Sequence, residues 1–357
     1  MKQLDPLLSL QFRRMSILCA CLVVLIHSTV APALGSWQWW VAFLVGKEGI
    51  CRIAVPFFFL AAGFFLAGHV DESGWYKRAI KSRVWSLLVP FLIWMVGWEL
   101  VRTLIAFGMR MIGYSNYHGS IAIPDCSLAW GLKIIGLNPF EHIGSLWFVR
   151  TLFLFVLLSP LIVAVLRRRA AVLFGALAAV LLCFESQRTP YCAWDNCFEY
   201  FCSIRGCFYF SCGIWCRLNS RPWSRAAWCN LGLWLGLGLL VVKGILLSSG
   251  CVVQARVLDV IMTPMLLLGV WAIIGWFSRG REQVWLEGYS FPIFLLHMHF
   301  MLFASICFAA MGFSDAGKSD LIFMGFRFFI AFGGAVGATW ILRRAFPCFA
   351  KIAFGGR

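Results

Sequence analysis

The chain has 357 residues, 61% of them hydrophobic and only 13% charged, with a formal net charge of +16. A soluble domain carries about 25% charged residues, so this composition excludes an ordinary soluble protein and indicates a polytopic membrane protein. The positive excess does not point to nucleic acid, because no basic face or nucleic-acid motif accompanies it.

A membrane-spanning helix needs roughly 17 to 25 mainly apolar residues. In chain order the sequence predicts such helices at 15–34, 49–68, 84–108, 146–166, 170–186, 200–216, 226–249, 256–278, 288–312 and 320–342, which makes ten. The first lacks a small-residue cleavage site and reads as a retained span, not a signal peptide. The segment 109–145 is the only large loop, with an interfacial helix expected around Leu128 to Ile135. No internal repeat or inverted symmetry of broken helices is visible, which speaks against many transporter architectures. The expected fold is all-α, a polytopic integral membrane bundle of about ten transmembrane helices forming one domain over 1–357.

Loop charge sets the orientation. With the N-terminus inside, the inner segments hold 19 of the 31 Lys and Arg residues. The outer segments hold seven, namely Lys47, Arg110, Lys133, Arg188, Lys243, Arg256 and Lys318. Cytoplasmic loops carry the Lys/Arg excess, so both termini are expected in the cytoplasm and the chain in a cytoplasmic membrane. The fifteen cysteines lie mostly in apolar runs without paired CxxC spacing, where a free thiol behaves as a small hydrophobe. Cys202, Cys207, Cys212 and Cys216 share one helix with Arg205, and no metal is expected there. Cys192 and Cys197 in an outer loop are disulfide candidates.

Five basic residues fall inside spans: Arg52, Arg102, Arg150, Arg205 and Arg327. Arg102 follows Glu99 by three residues, a spacing that puts both on one helix face and lets them pair. Any one of these arginines alone reads as an anchor snorkelling to outer headgroups. Five together in the outer half favour a shared polar cavity. His27 lies about 18 Å along its helix from Met15, and an ionisable residue inside a span is a functional candidate because it is costly there. It reads either as a buried histidine bonded to a neighbouring helix or as a general base. His297 and His299 stand about 200° apart on their helix and cannot face the same site. His69 and His118 read as solvated, and His142 is left open. The basic stretch from Trp75 to Arg83 reads as positive-inside topology, as attraction to anionic lipid, or as a phosphate clamp for a donor such as coenzyme A.

Several strings, in order, resemble the acyltransferase-3 family of integral-membrane acyltransferases. Leu22 to Ser28 is similar to that family's first helix, which ends in its essential histidine. Arg52 to Phe64 resembles its Pro-Phe-Phe-Phe segment, with Ala62 where the family has serine. Lys77-Arg78 and Arg83 to Trp94 resemble its basic loop and Leu-Ile-Pro-Tyr helix. Leu146 to Leu152, closed by Ser159-Pro160, resembles its Trp-Phe-Leu-Arg segment, and Tyr289 to His297 its Ser-Phe-x-Ile-Tyr-x-x-His helix. The resemblance covers nearly the whole chain and implies the stand-alone form, without an added esterase-like domain.

It implies transfer of an acyl group, usually acetyl from acetyl-CoA, to a hydroxyl of a carbohydrate or lipid-linked glycan. His27 is then the catalytic base. The family arginine eleven positions before that histidine is replaced by Ser16. Arg13 lies about 40° off the face of His27 and Arg14 about 140°, so Arg13 is expected to take over the arginine's role. Arg14, with Arg78 and Arg83, is assigned to the headgroup and donor side. Arg52, Glu99, Arg102, Arg150, Arg205, His297 and Arg327 are assigned to the acceptor or its cavity. No bound cofactor or metal is expected, the donor acyl-CoA being a substrate, and the partners are membrane lipids and the glycan. The rival reading is a transporter or flippase of a lipid-linked sugar that uses the same cavity without chemistry.

Overall fold

The computed structural model describes residues 5–30, 32–111, 127–135, 145–187, 203–219, 226–279, 285–311 and 321–356. Every regular element among them is helical. His118, His142, Cys192, Cys197 and Cys202 lie outside the described residues, as does most of the large loop.

α1 runs Pro6–Ser28 and starts as its sequence dictates. Asp5 accepts a hydrogen bond from the Leu7 N–H at 3.1 Å, and Pro6 fills the first turn, where a missing N–H does no harm. α2 (Trp37–Val45) is a short helix where the sequence reading had only a loop; Ser36 caps it by accepting from Trp39 N at 3.1 Å. A 3₁₀ turn (Ile50–Ile53) leads into α3 (Ala54–Ala67). The basic helix α4 (Trp75–Arg83) passes through a π turn (Val84–Leu88) into α5 (Val89–Met111). Pro90 cannot donate to the Ser86 carbonyl, and the backbone widens beside it, as single π turns do.

α6 (Leu128–Ile134) matches the expected interfacial helix. α7 (Trp147–Gln187) is one helix by its hydrogen bonds, but Arg169 at φ −145° and ψ 50° breaks it between the fourth and fifth predicted spans. The remaining helices are α8 (Ile204–Leu218), α9 (Ala226–Ser248), α10 (Val252–Ser278), α11 (Ser290–Ala310), α12 (Leu321–Ala345) and the short α13 (Pro347–Ala353), with a 3₁₀ turn (Trp285–Gly288) before α11. Eight helical stretches are long and apolar enough to cross a membrane. With α7 divided at Arg169 and the 15-residue α8 added, the described helices account for the ten predicted spans.

Packing puts α1 at the centre, against α3, α10, α11 and α12. Phe12 of α1 sits 5.0 Å from the Phe64 ring and 4.8 Å from that of Trp271. α3 and α8 touch backbone to backbone. A Cβ on Gly63 would stand 2.1 Å from the Phe210 carbonyl oxygen, and one on Gly213 would stand 2.0 Å from that of Leu60. Close approach through small residues is how helices associate in lipid, where burial of apolar surface gives no net drive. α13 folds back on α5, its Ala353 carbonyl accepting from Trp94 Nε1 at 2.9 Å.

Candidate active site

His27 stands in the last turn of the central helix, with part of its surface open. Its ring faces that of His297 on α11, with centroids 5.2 Å apart. His297 is fully buried, and its Nδ1 lies 3.1 Å from the Ile293 carbonyl oxygen and 2.9 Å from that of Phe294. Those carbonyls can only accept, so in the neutral ring the proton sits on Nδ1 and Nε2 carries the lone pair. Nε2 has no hydrogen-bond partner among the described residues. His299 faces away, as a step of about 200° requires. It packs edge-on against Trp98 and Trp94, at 5.1 and 5.7 Å.

On the side of the basic helix ends lies a cavity of about 430 Å³. α3 lines it with Phe58, Ala61, Ala62 and Phe65, α7 with Phe148 and Leu152, and α11 with Phe291 and Phe294. Its polar lining is Ser16, Arg83 and Ser290. The Ser16 hydroxyl is already tied to the Phe12 carbonyl at 2.8 Å. The cavity wall formed by Phe294 backs onto His297, the two rings being 6.1 Å apart. The cavity thus has Arg83 in its lining, and Phe294 of its wall packs against one of the two facing histidines.

Beyond His27 the chain turns over the other end of α1. There Thr29 Oγ1 accepts from the Lys47 N–H at 3.3 Å. Arg327 of α12 and Lys47 are the charged groups whose field reaches His27. Next to Lys47 a four-charge cluster locks the loop down. Arg52 pairs with Glu48 at 3.0 Å and with Asp259 at 2.8 Å. Lys243 Nζ pairs with the same Glu48 at 2.8 Å and with Asp259 at 2.9 Å. Lys243 and Asp259 are fully buried in α9 and α10.

The other predicted site residues are placed as follows. Glu99 and Arg102 pair at 3.2 Å, as their spacing requires. Arg150 and Arg205 stand near the starts of α7 and α8 and are engaged there. Arg52 belongs to the charge cluster. Arg13 is bound to Glu287 at 3.1 Å and is 41% exposed, some fourteen residues and about 21 Å along α1 from His27. Arg14 donates to the Phe277 carbonyl at 2.7 Å and lies 3.9 Å from the same Glu287. Arg78 is exposed and clasps Glu72 at 2.8 Å. Hydrogen bonds from His69 and Arg78 hold the Glu72 carboxyl below the usual carboxylate range. Of the cations assigned to the donor, Arg83 alone lines the cavity.

Sequence reasoning missed Glu48, Asp259, Glu287 and the true position of Lys243, which it had assigned to an outer segment. A signal existed for two of them. Lys243 is the single charge of its helix and Asp259 the single acid of the next, and charges within apolar helices demand each other or a function.

A family described as an acyltransferase domain matches residues 15–344. The chain belongs to the acyltransferase-3 family. It is also 28% identical over 187 residues to the succinoglycan biosynthesis protein ExoH of Rhizobium meliloti (strain 1021), a match covering 49% of this chain and 48% of that protein. The chain thus spans about half the length of the curated relative it matches. No solved structure matches it.

Proposed function

We propose that this acyltransferase-3 member moves an acyl group, acetyl in the simplest case, from acyl-CoA to a hydroxyl of a cell-surface polysaccharide or its lipid-linked precursor. The reading rests on one observation above all. An apolar cavity with Arg83 in its lining ends at Phe294, directly behind the buried histidine that faces His27. Family membership and the polysaccharide-related name of the relative support it.

In this reading the bundle sits in the cytoplasmic membrane with both termini inside. The phosphates of coenzyme A meet Arg83, with Arg78 and Arg14 nearby on the same basic face, and its pantetheine arm fills the cavity. Arginine suits phosphate because its planar fork gives two parallel hydrogen bonds. His27 takes the proton from the acceptor hydroxyl, whose oxygen attacks the thioester carbonyl. The tetrahedral intermediate collapses as the C–S bond breaks, and the departing thiolate takes up the proton from the imidazolium. His297, fixed by its backbone contacts, packs its ring against His27 and limits how that imidazole can turn.

The test is transfer of label from radiolabelled acetyl-CoA to surface polysaccharide by the purified protein. Wild type transfers, and His27→Ala loses about 10²–10⁴-fold in rate while eluting as the same folded species. Equal transfer by the two proteins would make His27 structural, and transfer by neither would overturn the reading.

A further inference from the structure

The charges around His27 identify the chemistry of the acceptor. Four of the five arginines within spans are engaged. Arg52 is held by Glu48 and Asp259, and Arg102 by Glu99, while Arg150 and Arg205 make their own contacts. Arg327 differs. Its guanidinium lies over the Phe323 ring at 5.3 Å, and no acidic side chain pairs with it among the described residues. α12, which carries it, packs against both α1 and α11, the helices of the two histidines.

Lys47 is the second cation here. Its backbone is bonded to Thr29, two residues beyond His27, and its side chain is exposed. The adjacent Glu48 is clamped by Arg52 and Lys243, so the loop holds Lys47 in place. The clamp balances its own charges, two acids against two bases. His27 is the open member of the histidine pair and lies on the same side. Two cations thus stand at the His27 end of α1, and one of them, Arg327, has no acidic partner among the described residues. An unpaired arginine in a poorly solvated site is costly, and a substrate anion would relieve that cost.

We infer that the acceptor carries an anionic group, a carboxylate or a phosphate, which Arg327 and Lys47 bind and thereby set its hydroxyl against His27. The inference rests on acyl transfer at His27. The anion has two possible sources, an acidic sugar within the glycan or the diphosphate of a lipid-linked precursor.

The experiment uses the full chain in nanodiscs and three probes: a glucuronic-acid-containing oligosaccharide, the same oligosaccharide after carboxyl reduction, and the reduced form on a prenyl diphosphate. Binding is read by tryptophan fluorescence, and acetyl transfer is measured in parallel. A charge-assisted hydrogen bond predicts that an anionic probe binds about ten- to a hundredfold more tightly than the neutral one. Added salt should shrink that preference. Arg327→Gln should abolish it, Arg327→Lys should keep part of it, and the exposed Lys47→Gln should reduce it. Which anionic probe wins tells the sugar carboxylate from the lipid diphosphate. No preference in wild type, or a preference that survives Arg327→Gln, overturns the inference. A preference with no acetyl transfer to any probe leaves the anion site standing and removes the acyltransferase reading instead.

Discussion

Among single residues, His297 has the most constrained role. Two backbone carbonyls of its own helix fix its Nδ1, and the ring is sealed from solvent behind His27. In the proposed mechanism it is a positioning residue, which touches the base and not the substrate. His297→Phe should therefore lower kcat for acetyl transfer by about 10–100-fold, the scale seen for partners that orient a metal-bound imidazole. The KM for acetyl-CoA should not move, because the donor contacts lie across the Phe294 wall. His297→Gln keeps an acceptor oxygen and should recover part of the loss. A raised KM with kcat intact would turn His297 into a wall of the donor cavity. Equal losses in both variants would reduce it to packing. The two-histidine spacing was legible in the sequence, since a helix cannot aim positions 297 and 299 at one point. Helix geometry alone did not say which of them faces His27, because that depends on how α11 rotates against α1; the resemblance had singled out His297. Arg13 shows the reverse case. Its angular alignment with His27 was sound helix geometry, but Glu287, more than 270 residues later in the chain, holds it at the far end.

At the level of elements, the charge cluster joins the 3₁₀ turn before α3 to α9 and α10. It holds Arg52, expected at the acceptor or its cavity, and Lys243, expected in an outer segment, in one set of ion pairs. Both side chains of the Lys243–Asp259 pair are fully buried, so removing Lys243 leaves two acids against Arg52 alone and one buried negative charge uncompensated. Lys243→Met should destabilise the protein by about 3–5 kcal/mol, read as a lower midpoint of thermal unfolding in detergent. Lys243→Met with Asp259→Leu should recover much of that, because hydrophobic replacement of a whole buried pair is often neutral. If the double variant is no better than the single one, the cluster acts through Glu48 and Arg52 instead. The helices themselves were legible from hydropathy, down to the break in α7 at Arg169, where a basic triplet separates two apolar runs. α2 and α13 were not, because nine and seven residues are too few for a span and their placement is decided by neighbours. The π turn was hidden for a similar reason. Pro90 signals a lost hydrogen bond, but not how the backbone absorbs it.

Taken whole, the bundle is polarised. At one end the basic helix termini are tied together, Arg14 to the Phe277 carbonyl, Arg343 to that of Gly288 at 2.8 Å, and Arg167 to Asp71. The cavity with Arg83 belongs to this end, and Lys47 and Arg327 belong to the other. In the proposed orientation, with the Lys/Arg excess inside, the first end faces the cytoplasm, where acyl-CoA is found. The proposed reaction therefore has a direction, with the donor entering from one face and the acceptor held toward the other. Inside-out vesicles containing the protein and a trapped acceptor glycan should incorporate label from externally added acetyl-CoA. Right-side-out vesicles should not, since the charged donor cannot cross the bilayer. Reporter fusions at Gly74 and Arg168 should read cytoplasmic, and one at Gly250 external. Label taken up by right-side-out vesicles alone, together with an external Gly74, would invert the bundle and place the Arg83 cavity on the acceptor side. Uptake in both orientations would mean that the donor reaches the histidine pair from both faces.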